Sequence, residues 1–221
     1  MVEFLTYVPW DEGNANVWSP RLANLLINIG SSVDSTFKTF KNSRSLAAGK
    51  DAQKLRDKEE PNIGDYATTY GTVYPLESKV VHFLQDHSPF RPWHAWKETP
   101  FWWYAYNQVK HNRFGNLKLA KLRTTLDALT GFFSVCVLLL EVRSHLFSLG
   151  RIRHVGLQKR DGEIRMETWM GGVPLELIQV QDLGDRYELP VYVNSNLFVL
   201  FLSSDKNAQG QQELLEQIAP R

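Results

Sequence analysis

The chain has 221 residues, of which 43% are hydrophobic and 22% are charged, a mixture typical of globular proteins and unlike that of disordered ones. The formal net charge of +1 at pH 7 excludes nucleic-acid binding driven by the charge of the whole protein, so any such binding has to come from a local patch. The single cysteine, Cys136 in "GFFSVCVLLL", cannot form an intrachain disulfide, and its apolar surroundings predict a buried thiol in a reducing compartment.

The first element predicted along the chain is a long helix from Pro20 to about Phe40. Ser19 is a suitable N-cap, and proline suits the first helical position. Apolar residues recur there at spacings of three and four, which predicts one buried stripe. They are Leu22, Leu25, Leu26, Ile29, Val33, Phe37 and Phe40. Gly30 lies in the middle of the helix, where it either weakens the helix or lets another helix approach closely.

The region after this helix mixes polar and aromatic segments. Residues 42–62 are polar and charged, which is typical of a surface loop or a short solvated helix. Three tyrosines spaced by four in "IGDYATTYGTVYPL" predict a short helix that ends before the proline. The segment "SKVVHFL" predicts a short strand or a helical turn, and the two prolines of "HSPFRPWHAW" predict an irregular connection.

Two further helices are predicted before residue 150. One runs from about Pro100 to Phe114 and ends near the helix-stop pair Gly115–Asn116. The other is the longest of the chain and runs from near Asn116 to about Leu149, with a glycine directly after it. At ~1.5 Å per residue it is expected to be roughly 50 Å long, unless it bends or breaks near Gly131.

The pattern changes to strands beyond residue 150. The segment "IRHVGLQKRDGEIRMETW" predicts two strands joined at Arg160–Asp161–Gly162, because Asp-Gly between alternating runs is a strong hairpin signal. Further short strands are predicted in "PLELIQVQDL", "YELPVYVN" and "LFVLFLSS", and a polar terminal helix in "AQGQQELLEQIA". Helices followed by strands indicate an α+β protein, with a helical bundle over residues 1–150 and an antiparallel strand-rich region over residues 151–221.

The sequence also bears on localisation. The N-terminal "MVEFLTYVPW" has no basic region before an apolar stretch, so no signal peptide is expected. The longest apolar run, residues 128–140, is shorter than the ~20 residues that a membrane span needs. We therefore expect a buried core helix in this run, no membrane association and a cytoplasmic protein.

The candidate site lies in "WWYAYNQVKHNR", residues 102–113. Because residues three and four apart are neighbours on a helix, an aromatic base and a group of polar side chains share one region. The candidate residues are Trp103, Tyr106, Asn107, Lys110, His111 and Arg113. An imidazole can act as acid or base near neutrality, and the two cations can stabilise a phosphate or a developing oxyanion. Cations at a helix C-terminus also complement the helix dipole, which is a purely structural reason for them.

The order of these helices resembles a known family. A long first helix, an aromatic helix carrying "YNQVKHNR" and an apolar helix carrying "LKLAKLRTTLDALTGFF" resemble the helical bundle of the HEPN superfamily (higher eukaryotic and prokaryotic nucleotide-binding domains). Many members are ribonucleases of defence and toxin systems. Their motif is an Arg, a polar residue, a few further residues and a His. The resemblance covers roughly residues 15–150 and matches Asn107 to the polar residue and His111 to the catalytic His, while Tyr106 stands where the family has Arg.

Two functions follow as hypotheses. The resemblance implies a homodimer whose two motifs meet in a composite site for metal-independent RNA cleavage. His111 would then be the general acid or base, Asn107 would orient it or the phosphate, and Lys110 would offset phosphate charge. The substrate-binding residues would be Arg113, Tyr106 and Trp103. The alternative is a non-catalytic nucleotide-sensing or protein-interaction module, in which the same residues bind a ligand or stabilise the helix end.

A metal site has one weak candidate. His82, Asp86 and His87 lie close together in sequence, but a spacing of five matches no helical face, and no Cys or Glu completes a ligand set. We therefore predict no metal and no cofactor.

Overall fold

A computed structural model describes residues 1–42, 50–74, 76–94, 96–160, 163–169, 192–195 and 197–201. Within these ranges the chain forms eight α-helices and six β-strands. The prediction of an α+β protein is therefore confirmed. The chain divides into two compact units, one made of residues 1–78 and 91–135 and the other of residues 79–90 and 136–221.

The first unit is helical. Its helices are α1 (Val2–Tyr7), α2 (Pro20–Phe40), α3 (Lys50–Asp57), α4 (Ile63–Val73), α5 (Phe101–His111), α6 (Arg113–Asn116) and most of α7 (Leu122–Leu138). Short 3-10 turns at Trp96–Glu98 and Leu117–Leu119 connect some of them. The polar region after α2 contains α3, so the solvated-helix alternative holds for that part of it.

Helix α2 begins and ends where its sequence predicts. The Ser19 hydroxyl oxygen accepts a hydrogen bond from the Leu22 backbone N–H at 3.1 Å, which satisfies one of the unpaired donors of the first turn. The predicted stripe is buried at its centre, at Leu22, Leu26, Ile29, Val33 and Phe37. Capping and apolar spacing are local signals, which is why the sequence alone defines this helix.

Gly30 marks the place where α2 packs against α5. A Cβ atom at this position would lie 2.4 Å from ring carbons of Tyr106, which is far inside van der Waals contact. The phenol ring therefore occupies the space that a side chain at position 30 would need. Of the two alternatives left open by the sequence, the structure supports the close approach.

An aromatic cluster fills the core of the helical unit, with Trp93 at its centre. The Trp93 indole N–H donates hydrogen bonds to the Gly131 carbonyl at 3.1 Å and to the Ser134 hydroxyl at 2.9 Å. The Trp102 ring meets the Trp93 ring edge-on at 5.1 Å between centroids, and the Phe37 ring lies 5.8 Å away. These contacts join α2, α5 and α7 around one fully buried side chain.

The second and third predicted helices end earlier than their sequences suggest. Helix α5 ends at His111, because Asn112 has a non-helical backbone (φ −143°, ψ 79°) and its side chain accepts a hydrogen bond from the Gly115 N–H to cap α6. The predicted continuous helix up to Leu149 is wrong. A 3-10 turn precedes α7, and the chain breaks at Leu139 (φ −73°, ψ 111°) before α8 (Leu140–Ser148), not near Gly131.

The second unit contains an antiparallel sheet. Its strands are β1 (Val81–Phe83), β2 (Pro89–Phe90), β3 (Arg153–Arg160), β4 (Glu163–Trp169), β5 (Tyr192–Asn194) and β6 (Phe198–Phe201), in the order β2-β1-β6-β5-β3-β4. Arg160 pairs with Glu163, which confirms the predicted hairpin strands, although residues 161–162 lie outside the described ranges. The strand predicted at 174–183 and the helix predicted at 208–219 lie outside them as well.

The division of the chain differs from the predicted boundary at residue 150. Strands β1 and β2 come from residues 79–90, inside the region predicted to be a helical bundle, yet they extend the sheet by pairing Val81 with Leu200 of β6. Burial alternates along β1, with Val81 and Phe83 buried and His82 half-buried. A strand of only three residues is too short for its alternating pattern to distinguish it from a helical turn in the sequence.

Burial also determines the state of Cys136. The thiol is unpaired and buried, and burial raises its pKa to about 12. It therefore stays protonated at neutral pH and is unsuited to nucleophilic chemistry.

A membrane-spanning helix must be long and apolar. None of the described helices is by itself long and apolar enough to cross a membrane. Only the broken pair of α7 and α8 would reach that length and composition, if the two were taken together.

Asp127 of α7 provides a test of pH dependence. Burial raises the pKa of its carboxyl to about 6 from the ordinary value of 3.8, although the Arg123 guanidinium, 3.3 Å away, opposes the shift. Between these two values the folded protein holds a proton that the unfolded chain has released, so the free energy of unfolding falls as the pH rises. We expect this group to remove about 2–3 kcal/mol between pH 4 and pH 7.

The variant Asp127→Asn keeps the side-chain shape but cannot ionise. Its stability relative to the wild type should therefore increase steadily from pH 4 to pH 7. Urea unfolding followed by tryptophan fluorescence at a series of pH values measures this difference. A difference that stays constant over the series would contradict the prediction.

Candidate functional site

Helix α5 carries the candidate residues and has an inner and an outer face. Its inner face buries Trp102, Ala105, Tyr106 and Val109. Its N-terminus is preceded by Pro100, which also lies in the buried part of the chain. The helix therefore contributes both aromatic and small aliphatic side chains to the core.

The outer face of α5 exposes two further aromatic rings. Phe101 is 58% exposed and Tyr104 is 48% exposed, with ring centroids 6.2 Å apart. Gln108 and His111 follow at helical spacing, one half-buried and the other exposed. We call Phe101, Tyr104, Gln108 and His111 the outer face of α5. His111 is exposed, and no described residue forms a hydrogen bond with its imidazole.

Four of the six predicted site residues line a cleft on another side of the helix. They are Trp103, Tyr106, Asn107 and Lys110, and the cleft has a volume of about 550 Å³. Helix α2 contributes Asp34 and Lys38, and the segment before α4 contributes Glu60. His111 and Arg113 do not line this cleft. The structure therefore brings the amide and one cation together and places the imidazole outside.

Hydrogen bonds within the protein fix the side chains of the cleft. The Lys110 ammonium donates to the Tyr106 hydroxyl at 3.3 Å and lies 5.4 Å from the centre of the same ring. The Tyr106 hydroxyl lies 3.4 Å from the Ser31 hydroxyl. Asn107 donates its amide N–H to the Trp103 carbonyl at 3.0 Å. Tyr106 is 2% exposed. It therefore affects a ligand by positioning the Lys110 ammonium rather than by direct contact.

The second predicted cation, Arg113, forms a hydrogen bond outside the cleft. The Arg113 guanidinium donates to the Pro20 carbonyl at 3.1 Å, at the N-terminus of α2. On one continuous helix, a spacing of seven residues would place Arg113 on the same side as Tyr106. The break at Asn112 removes that alignment, and Arg113 instead belongs to α6.

The α2 side of the cleft contains a charge pair. The Lys38 ammonium lies 2.7 Å from the Asp34 carboxylate. This hydrogen bond is the main cause that raises the pKa of Lys38, and the charge of Glu60 contributes to the same shift. Thr99 at the rim has a left-handed backbone with φ 71°, which is a strained conformation for a β-branched residue.

The sequence does not predict that Asp34, Lys38 and Glu60 line the site. The i,i+4 spacing of Asp34 and Lys38 predicts an ion pair on α2, but it gives no information on which helix lies opposite. That information depends on the crossing of α2 and α5 at Gly30. Glu60 is one charge in a polar run and carries no local signal.

A metal site receives no support in the described part of the chain. No group of three His, Cys, Asp or Glu side chains lies close enough there to hold a metal ion. The His82 Nδ1 atom lies 3.3 Å from the His87 carbonyl oxygen, so this nitrogen has a partner within the protein.

Comparisons with known proteins add no assignment. No family model, no curated protein and no solved structure matches this chain. Function therefore has to be inferred from the outer face of α5 and from the cleft.

Proposed function

We propose that this protein binds single-stranded RNA on the outer face of α5 and cleaves it without a metal ion, as its resemblance to HEPN domains suggests. The observation that carries the proposal is the exposed His111 imidazole on the same face as two exposed aromatic rings, Phe101 and Tyr104. Exposed rings stack on unpaired bases and contribute ~1–3 kcal/mol per base. His111 lies seven residues after Tyr104 on the same helix, about 10 Å along its axis, which is within reach of a strand that stacks on the two rings.

Cleavage needs two proton transfers. A general base removes the proton of the ribose 2′-hydroxyl, whose oxygen attacks the adjacent phosphorus and forms a cyclic phosphate. A general acid protonates the 5′-oxygen that leaves. An imidazole can perform either step near neutral pH. The Lys110 ammonium contacts Tyr106 in the cleft on another side of the helix, so we assign it no part in this step. One imidazole performs one of the two steps, so we propose a homodimer whose partner supplies the second.

The decisive experiment compares the wild type with His111→Ala on labelled single-stranded and structured RNA in EDTA. Removing a general acid or base lowers the rate by about 10²–10⁴-fold. Because His111 is exposed, the variant should unfold at the wild-type temperature. His94→Ala is the matched control, since His94 is also an exposed histidine of the helical unit. Equal cleavage by the wild type and His111→Ala would reject the catalytic role.

A second candidate is a non-catalytic RNA- or nucleotide-binding module. It is favoured by the internal hydrogen bonds of Asn107 and Arg113, which engage two groups that a catalytic site would use on the substrate. In this case the wild type binds labelled RNA without cutting it, and Tyr104→Ala weakens binding in fluorescence anisotropy. Light scattering on the wild type and on Phe101→Asp distinguishes a dimer that uses this face from a monomer.

A further inference from the structure

We infer that the cleft between α2 and α5 is a binding site for a small zwitterion, with the anionic group of the ligand at Lys110 and its ammonium group at Glu60. Both residues line the cleft, whereas His111 does not. The inference therefore goes beyond the proposed RNA cleavage and does not depend on it.

The cationic end of the cleft is Lys110. Its ammonium contacts the hydroxyl and the ring face of Tyr106, which are neutral. Among the residues that the structure describes, no carboxylate lies within 4.0 Å of it. Tyr106 is itself held against Gly30, so the ammonium is positioned by a rigid support. A positioned cation without a carboxylate partner is suited to bind an anion.

The acidic end of the cleft is Glu60. This exposed carboxylate forms no ion pair with any residue in the described ranges. The other two charges, Asp34 and Lys38, are bonded to each other at 2.7 Å, and the charge of Glu60 also acts on Lys38. Lys110 and Glu60 are the positive and the negative group of the cleft that lie in no ion pair among the described residues, which favours a ligand that carries both charges over a simple anion or cation.

The space between the two ends suits a small polar molecule. Asn107 donates its amide N–H to the Trp103 carbonyl, which leaves its amide oxygen able to accept a hydrogen bond from a ligand. Trp103 adds a narrow apolar wall, since 7% of its surface is exposed. The volume of about 550 Å³ lies within the range of small-molecule sites.

The test uses three compounds of the same carbon skeleton: ε-aminocaproate, caproate and hexylamine, together with shorter and longer homologues of each. Calorimetry and NMR titration of the full chain measure their affinities. We expect the best zwitterion to bind about tenfold more tightly than the acid or the amine of the same length, because one extra charged hydrogen bond is worth about that factor.

Two variants assign the ends of the ligand. Lys110→Met should remove the advantage of the zwitterion over the amine, and Glu60→Gln should remove its advantage over the acid. Both residues are exposed, and Lys97→Met, an exposed lysine outside the cleft lining, should change neither preference. Absence of binding by every zwitterion, equal affinity for the three compound types, or preferences that survive both variants would each overturn the inference, whatever the outcome with RNA.

Discussion

Replacement of Gly30 by Ala should destabilise the helical unit by about 3 kcal/mol or more, which is the upper end of the range for overpacked cores. The new Cβ would lie 2.4 Å from two ring carbons of Tyr106 and 2.8 Å from a third. A planar ring cannot yield as a flexible side chain does, and Tyr106 is 2% exposed. Relief therefore requires α2 and α5 to separate, which opens the packing on both helices.

Gly71→Ala provides the matched control. Gly71 also lies inside a helix, α4, but a Cβ there would meet its nearest atom, in the Trp96 ring, at an ordinary distance of 3.9 Å. Alanine favours the helix by up to ~1 kcal/mol over glycine, so this variant should be neutral or more stable. Urea unfolding of the wild type and both variants measures the contrast. A similar small change for both would show that Tyr106 does not fill the space beside Gly30.

Gly30→Ala should also affect the cleft. Tyr106 supports the Lys110 ammonium through its hydroxyl and its ring, so a displaced ring displaces the cation as well. In a Tyr106→Ala background the cost of Gly30→Ala should be much smaller, because the clashing ring is absent. A double-mutant cycle gives this coupling directly. Independent effects of the two substitutions would be inconsistent with their contact.

Local patterns explain which parts of the fold could be predicted from the sequence. Helix α2 is defined by Ser19, Pro20 and an apolar stripe, and the β3–β4 hairpin by alternation on both sides of Asp-Gly. Each of these signals acts over a few residues and is enforced by backbone hydrogen bonding or by burial of one face. Such patterns favour helices and hairpins without information from distant segments.

The remaining features depend on contacts between distant segments. The break at Leu139 interrupts an apolar run that satisfies a helical period on both sides. Strand β1 gains its partners from β6, more than a hundred residues away. The cleft requires α2 to cross α5, and this places Lys110 and an acidic segment in one cleft that the neighbouring His111 does not line. Helical spacing alone predicts that Lys110 and His111 lie near each other, but it does not predict that only one of them lines the cleft.

Trp93→Ala should reduce the free energy of unfolding by about 3–5 kcal/mol, the cost typical of removing a large buried aromatic side chain. Trp93 is fully buried and contacts the rings of Phe37, Trp96 and Trp102 at centroid distances of 5.8, 4.8 and 5.1 Å. Its loss would leave a cavity where α2, α5 and α7 meet. A domain with an ordinary stability of about 5–15 kcal/mol would lose a large part of it.

Two further tryptophan variants separate the causes of this loss. Trp93→Phe keeps much of the packing but removes the indole N–H that bonds the Gly131 carbonyl and the Ser134 hydroxyl. We expect a cost of about 1–3 kcal/mol for this variant. Trp18→Ala removes a tryptophan that is 44% exposed and should cost far less than Trp93→Ala. Denaturant midpoints with unchanged slopes give the ranking. A Trp18→Ala cost equal to that of Trp93→Ala would mean that α2, α5 and α7 do not share the aromatic core described for them.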